Sequence, residues 1–185
     1  TGTAWNNNAG YGTVASWNVK VWSQDADATT FNDSEQAWMK RVWQRVAEDY
    51  APFDVDVTTD VTYDPDNYTG NKDQVGWLLI CETTDANGVA LPHNGSGGVA
   101  YLSVFGNTSY SPTYQPAWVS STNGGGSESI IAEAASHEMG HNMGLSHDAT
   151  STTSYYGGHG SGDISWGPIM GTGYNRNVSQ WSKGE

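Results

Sequence analysis

His137-Glu138-Met139-Gly140-His141-Asn142-Met143-Gly144-Leu145-Ser146-His147-Asp148 is the stretch whose reading decides the fold. His137 and His141 are four residues apart, so on a helix they project from one face about one turn apart. Both can then reach a single metal ion at roughly 2.0–2.1 Å. Glu138 points off that face, where its carboxylate can reach a water on the open side of the ion. Gly144 permits a positive φ that stops the helix and sends the chain back beneath the ion, which makes His147 available as a third ligand. Three protein ligands with a fourth position open describe a catalytic zinc site, since structural sites are closed by four.

Working outward, Asn123-Gly124-Gly125-Gly126-Ser127 is a flexible approach to this helix. Ser127 or Ser129 is expected to cap it, with Glu128 favourable in the first turn and Ile130, Ile131, Ala134 and Ala135 on its buried face. A second helix opens at Asn32-Asp33-Ser34-Glu35, where Asn32 with Glu35, or Asp33 with Gln36, can form a capping box. Its apolar stripe reads Met39, Val42, Trp43, Val46 and Tyr50, and it ends before Pro52. Strands are expected over residues 15–22, 53–58, 76–83, 98–105 and, more weakly, 117–120. Residues 149–173 are rich in Gly, Ser and Thr and lack helical periodicity.

The run from His137 to His147 resembles the HExxHxxGxxH pattern of the metzincin zinc endopeptidases. Asn142 and Asp148 make it most similar to the adamalysin or reprolysin branch and to related secreted bacterial proteases. The resemblance implies an α/β (α+β) fold: a twisted five-stranded mixed sheet packed on two main helices, with a small irregular C-terminal part. One catalytic domain then spans residues 1–185, with an upper subdomain over about 1–143 and a lower one over about 144–185. It also implies a Met-containing turn under the zinc, for which Trp166-Gly167-Pro168-Ile169-Met170-Gly171 is the candidate, with Met170 its methionine. A last helix follows that turn in the family. Here only 15 residues remain after Met170, so residues 177–185 are expected to supply a short helix at most: either the final helix is cut short or it has been removed, and the completeness of the lower part is open.

The implied activity is endopeptidase hydrolysis of extended protein substrates by zinc-activated water, with Glu138 as general base. A zinc amidase acting on cell-wall or glycopeptide bonds would use the same residues. A binding module with a structural zinc would instead need a fourth ligand or a lost glutamate, and neither is seen. Gly98, Val99, Ala100 and Tyr101 resemble the sheet-edge strand on which metzincins lay substrate. Thr172 stands where some metzincins carry a zinc-reaching Tyr, and Tyr174, two residues on, is a candidate wall residue. His159 is a candidate substrate contact, set against a loop histidine with no role, and His93 beside Pro92 reads as inert. Asp64, Asp66 and Asp73 cluster oxygen ligands for a candidate calcium site, although the terminal Glu of an EF-hand loop is missing.

With 185 residues and a net charge of −13, the chain suits one domain, and it repels nucleic acid and anionic membranes. No apolar stretch is long enough to cross a bilayer. Cys81 is the one cysteine, so no disulfide forms within the chain, and its apolar surroundings predict a buried thiol. The expected protein is a secreted, extracellular monomer whose partners are protein or peptide substrates. Thr1 at the start reads as a processed mature end.

Overall fold

A computed structural model describes residues 17–25, 27–64, 68–107 and 114–182. Asn32 opens α1 (Asp33–Tyr50): its side chain accepts from the Ser34 and Glu35 N–H groups, and Glu35 accepts from the Asn32 N–H, which completes the capping box. The stripe that α1 buries is Trp38, Val42, Val46 and Tyr50. Trp43, expected on that stripe, is instead 36% exposed, with its indole N–H on the Val57 carbonyl at 2.7 Å. The helix is rotated so that Trp38, not Trp43, enters the core and stacks on Trp22 at 4.3 Å between centroids.

The central sheet has the order β1 (Leu78–Cys81), β3 (Ala117–Ser120), β2 (Gly98–Val99). β1 runs parallel to β3, and β2 runs antiparallel to it at the edge. Ala117, Trp118 and Val119 are all fully buried, because β3 divides two apolar clusters. Val119 faces α1 and α2 (Glu128–Asn142), while Trp118 faces Trp17, Cys81 and Leu91. The Cys81 thiol is buried as expected, and that burial pushes its pKa up to about 12.

Among the described residues this sheet has three strands, where five were expected. Residues 17–22 and 53–58 lie without a strand ladder, although Val19, Trp22, Val55 and Val57 do pack on the two clusters. Residues 15 and 16 lie outside the described part. The strand expected over 98–105 stops at Val99 because the amides beyond it have other acceptors. The Ser103 N–H bonds the His141 carbonyl and the Phe105 N–H bonds that of Asn142, so this segment caps the C-terminal end of α2. At the other end of α2, Ser127 takes the N-cap position without capping by its side chain, which meets the Ser129 hydroxyl at 3.0 Å.

The last expected element is also different. Residues 178–180 form a strand, β5 (Val178–Gln180), parallel to β4 (Trp166–Pro168), and not a helix. Pairing with β4 satisfies its backbone, and Trp181 anchors it by donating to the Asp49 carbonyl at 2.6 Å and packing on Tyr50 and Phe53. This closes the C-terminal segment against α1 and leaves no room at Gly140, where a Cβ would lie 2.6 Å from the Met170 sulfur and 3.0 Å from the Trp181 ring.

Two consequences are measurable. Gly140→Ala is expected to destabilise the fold by about 1–3 kcal/mol through overpacking, read as a Tm lowered by several degrees in calorimetry. Glu35 accepts hydrogen bonds from the Gln24 N–H, the Ser23 hydroxyl and the Asn32 N–H, which hold its carboxyl below the usual carboxylate range against the effect of burial. Its folded pKa lies below its unfolded value of about 4.3. Its contribution is therefore complete above that pH and drains away as pH falls through the folded value. Glu35→Gln should lower Tm at pH 7 and flatten the acid side of the Tm-against-pH curve.

Candidate metal centre

α2 is buried on nearly every side, including His137, Glu138 and His141. Its C-terminal end is set by Gly144 at φ +97°, as the sequence predicts, with the Leu145 N–H returning to the Gly140 carbonyl at 2.9 Å. That reversal brings His147 to the helix. One ligand atom from each of His137, His141 and His147 lies within 4.8 Å of the others, and this is the one such trio of His, Cys, Asp or Glu among the described residues.

The orientation of the rings follows from their backbone partners. His137 Nδ1 donates to the Ile169 carbonyl and His141 Nδ1 to the Leu145 carbonyl, each at 2.7 Å. With Nδ1–H so engaged, Nε2 of each neutral ring carries a bare lone pair. The Nε2 atoms of His141 and His147 stand 2.9 Å apart, and two such nitrogens share either a proton or a cation. Burial is the first cause lowering the pKa of all three, that of His137 to about 4, so the rings are neutral at pH 7. Three neutral imidazoles gathered together, two of them with the outer nitrogen fixed by a carbonyl, are the donor set that zinc takes.

Glu138 lies on the sheet side of α2, against the edge strand. A Cβ on Gly98 would be 2.7 Å from its Cγ and Oε1, so glycine is needed in β2 for the carboxyl to fit. Burial raises the Glu138 pKa to about 8. Of the other edge-strand candidates, Val99 and Tyr101 pack on the Trp118 cluster and Tyr101 also meets Tyr114 edge-on at 4.6 Å, while Ala100 is half-buried. Met170 lies in the turn after β4, is 2% exposed, and accepts the Asp148 N–H at its carbonyl. The backbone of Asp148 thereby ties the third histidine to this turn. Tyr174 is half-buried, and burial, then Glu138, Glu133 and Tyr155, raise its pKa to about 12.

Other candidates lie elsewhere. His159 pairs with Trp166 through backbone bonds and with the Tyr156 hydroxyl at 2.9 Å, and no contact joins it to the three histidines. His93 is fully buried, stacked on Trp118. Asp64 and Asp73 belong to no trio of ligands among the described residues, and Asp66 lies outside them. Two residues near the centre were not anticipated. Tyr155 packs its ring 4.0 Å from that of His147, and Glu133 sits one helical turn before His137. The i, i+4 spacing of Glu133 from His137 was a readable signal, while nothing in a Gly/Ser/Thr-rich segment marked Tyr155.

No described helix is long and apolar enough to cross a membrane. No curated protein and no solved structure matches the chain significantly. A family model of reprolysin type, described as metallo-peptidase family M12, matches residues 13–182. With that match over nearly its whole length and three histidines gathered as a zinc site requires, the chain belongs to metallopeptidase family M12 and is a zinc metalloprotease.

Proposed function

We propose that the chain is a secreted endopeptidase in which His137, His141 and His147 hold zinc, Glu138 carries the proton, and Met170 packs beneath the histidines. The observation that carries this reading is the convergence of two carbonyl-anchored imidazoles and His147 beside a buried carboxyl. Zinc, when bound, supplies Lewis acidity that acidifies water toward a pKa of about 7 and polarises a carbonyl.

The residues of the chain supply the rest. Burial raises the Glu138 pKa to about 8, so acting as base requires the ionised carboxylate, a form that a cation held by the neighbouring histidines would favour. One of its oxygens takes the proton of the attacking water and returns it to the leaving amine, work typically worth about 10²–10⁴-fold. Its buried position keeps bulk water from that proton. β2 is the edge strand of its sheet and touches Glu138 through Gly98. An extended peptide pairing with that edge would pass its backbone in front of the carboxyl. Such main-chain pairing favours polypeptide over other amides. The strongly acidic composition supports action outside the cell on soluble protein.

Glu138→Gln is expected to keep about one zinc per chain by elemental analysis while peptide hydrolysis falls at least about 100-fold. Retained activity would overturn the role of Glu138. Zinc content is also expected to fall on acidification from pH 7 toward pH 4, as the three histidines, which must be neutral to bind metal, take up protons that compete with it, His137 the last of them. Dialysis across that range, read by zinc content, checks this.

A further inference from the structure

The three histidines are not held alike. His137 and His141 each have Nδ1 fixed by a backbone carbonyl. The hydrogen-bonding contact of His147 is through Nε2, toward His141, so among the described residues its outer nitrogen has no such anchor. What packs on His147 instead is the Tyr155 ring, 4.0 Å away between centroids, which also lies 6.3 Å from the His137 ring. Tyr155 is 45% exposed and belongs to no helix or strand, so neither burial nor a regular element fixes it.

The loop that follows Tyr155 is tied by backbone bonds at two residues. The Tyr156 N–H bonds the Asp148 carbonyl at 2.7 Å, and His159 exchanges bonds with Trp166. The carbonyls of Gly157, Gly158 and Gly160 are served by no described backbone N–H. Arg176 serves all three: Nε donates to Gly157 at 2.7 Å, Nη1 to Gly160 at 3.1 Å and Nη2 to Gly158 at 3.4 Å. Its own backbone is placed by the Arg176 N–H on the Gly173 carbonyl, and then by the Asn177 N–H on the Ser165 hydroxyl. Neither ion pair among the described residues includes Arg176, so its donors are given to this loop.

We propose that Arg176 is a positioning residue for the metal centre: by gathering three carbonyls of the 157–160 loop it holds Tyr155 against His147, and so keeps the third imidazole in place for zinc. This rests on His147 being a ligand and adds the residue that stands behind it. Arg176 acts through the loop and Tyr155, not on the ion. The planar fork of guanidinium donors suits three fixed acceptors, and a lysine at the same place keeps the charge but loses the fork.

The test measures zinc affinity by competition with a chelator, and the ligand-field spectrum of the cobalt(II)-substituted protein, both well below the melting temperature. Arg176→Ala is expected to weaken zinc binding at least about tenfold and to change the cobalt spectrum, and added methylguanidinium should restore part of the affinity. Arg176→Lys should fall between Arg176→Ala and the wild type. Tyr155→Ala, at an exposed ring, should also weaken zinc binding, and the double variant should be no weaker than the weaker single one, because both act through one contact. A role in folding alone would lower Tm and leave affinity and spectrum as in the wild type. That result, or losses that add in the double variant, overturns the role of Arg176 and leaves the metal centre standing. Where Arg176→Ala fails to fold, Arg176→Lys decides, since zinc affinity equal to the wild type's overturns the proposal. Wild-type protein that takes up no zinc overturns both.

Discussion

Two hydrogen bonds hold the histidine cluster in shape, from His137 Nδ1 to the Ile169 carbonyl and from His141 Nδ1 to the Leu145 carbonyl. Both acceptors lie beyond Gly144, so the helix that carries the imidazoles does not orient them. The returning chain does. Ile169 is itself held by its N–H on the Gln180 carbonyl, and Trp181, next along, is pinned to the Asp49 carbonyl at the end of α1. A continuous path therefore runs from the first helix, through the C-terminal strand pair, to the ring of His137. The Met170 turn lies on that path, pressed on Gly140. Imidazole geometry at the centre is thus set by tertiary packing, which explains why glycine at 140 and positive φ at 144 matter as much as the histidines.

Such a centre places a burden on the fold. α2 buries His137, His141, Glu133, Glu138, Ser136 and Asn142 together, although burying polar groups costs free energy unless they are paired. Part of this is offset locally. The Ser136 hydroxyl donates to Asp49 at 2.6 Å, and the Tyr50 hydroxyl donates to the Ser136 carbonyl at 3.1 Å. The remainder is offset by apolar packing on both sides, with Ile131, Ala132, Ala134 and Ala135 all at 1% exposure or less. With its one cysteine buried and reduced, the chain gains nothing from crosslinks, and the indoles of Trp38, Trp118 and Trp181 carry much of the packing. The three alanines let α1 and β3 approach α2 closely enough for this.

Local signals were legible where local physics decides. The capping box at Asn32, the positive φ at Gly144 and the buried thiol of Cys81 each depend on a few neighbouring residues, and each is found. The histidine spacing likewise predicts the trio because i, i+4 placement is a property of any helix. Strand extent is different, since it depends on which distant amide finds which carbonyl. Residues 101–105 alternate suitably, yet the N–H groups of Ser103 and Phe105 are taken by the end of α2. Residues 53–58 bury Val55 and Val57 without a ladder, and residues 178–180 pair with β4 where a short helix was expected. The rotation of α1 that favours Trp38 over Trp43 also has a remote cause, because the Val57 carbonyl draws the Trp43 indole outward.

The third histidine is supported in another way from the first two. His147 packs among rings, with Tyr155 at 4.0 Å, His141 at 4.7 Å and His137 at 5.2 Å, besides its Nε2 contact to His141. Its position thus depends on the segment that carries Tyr155, and that segment has little secondary structure of its own. Arg176 compensates: its guanidinium donates to the carbonyls of Gly157, Gly160 and Gly158 at 2.7, 3.1 and 3.4 Å. Gly158, at φ +76°, lets the loop press directly on the Trp166 carbonyl, where any Cβ would collide. In a chain with only 7 Lys and Arg, this cation is engaged with backbone and, among the described residues, in no ion pair with a carboxylate. A planar fork of N–H donors can gather three carbonyls at once, which an ammonium on a flexible stem does less well. Arg176 follows the Met170 turn closely in sequence, so the clamp also joins the two halves of the return path. The segment under His137 and the loop beside His147 are held as one unit.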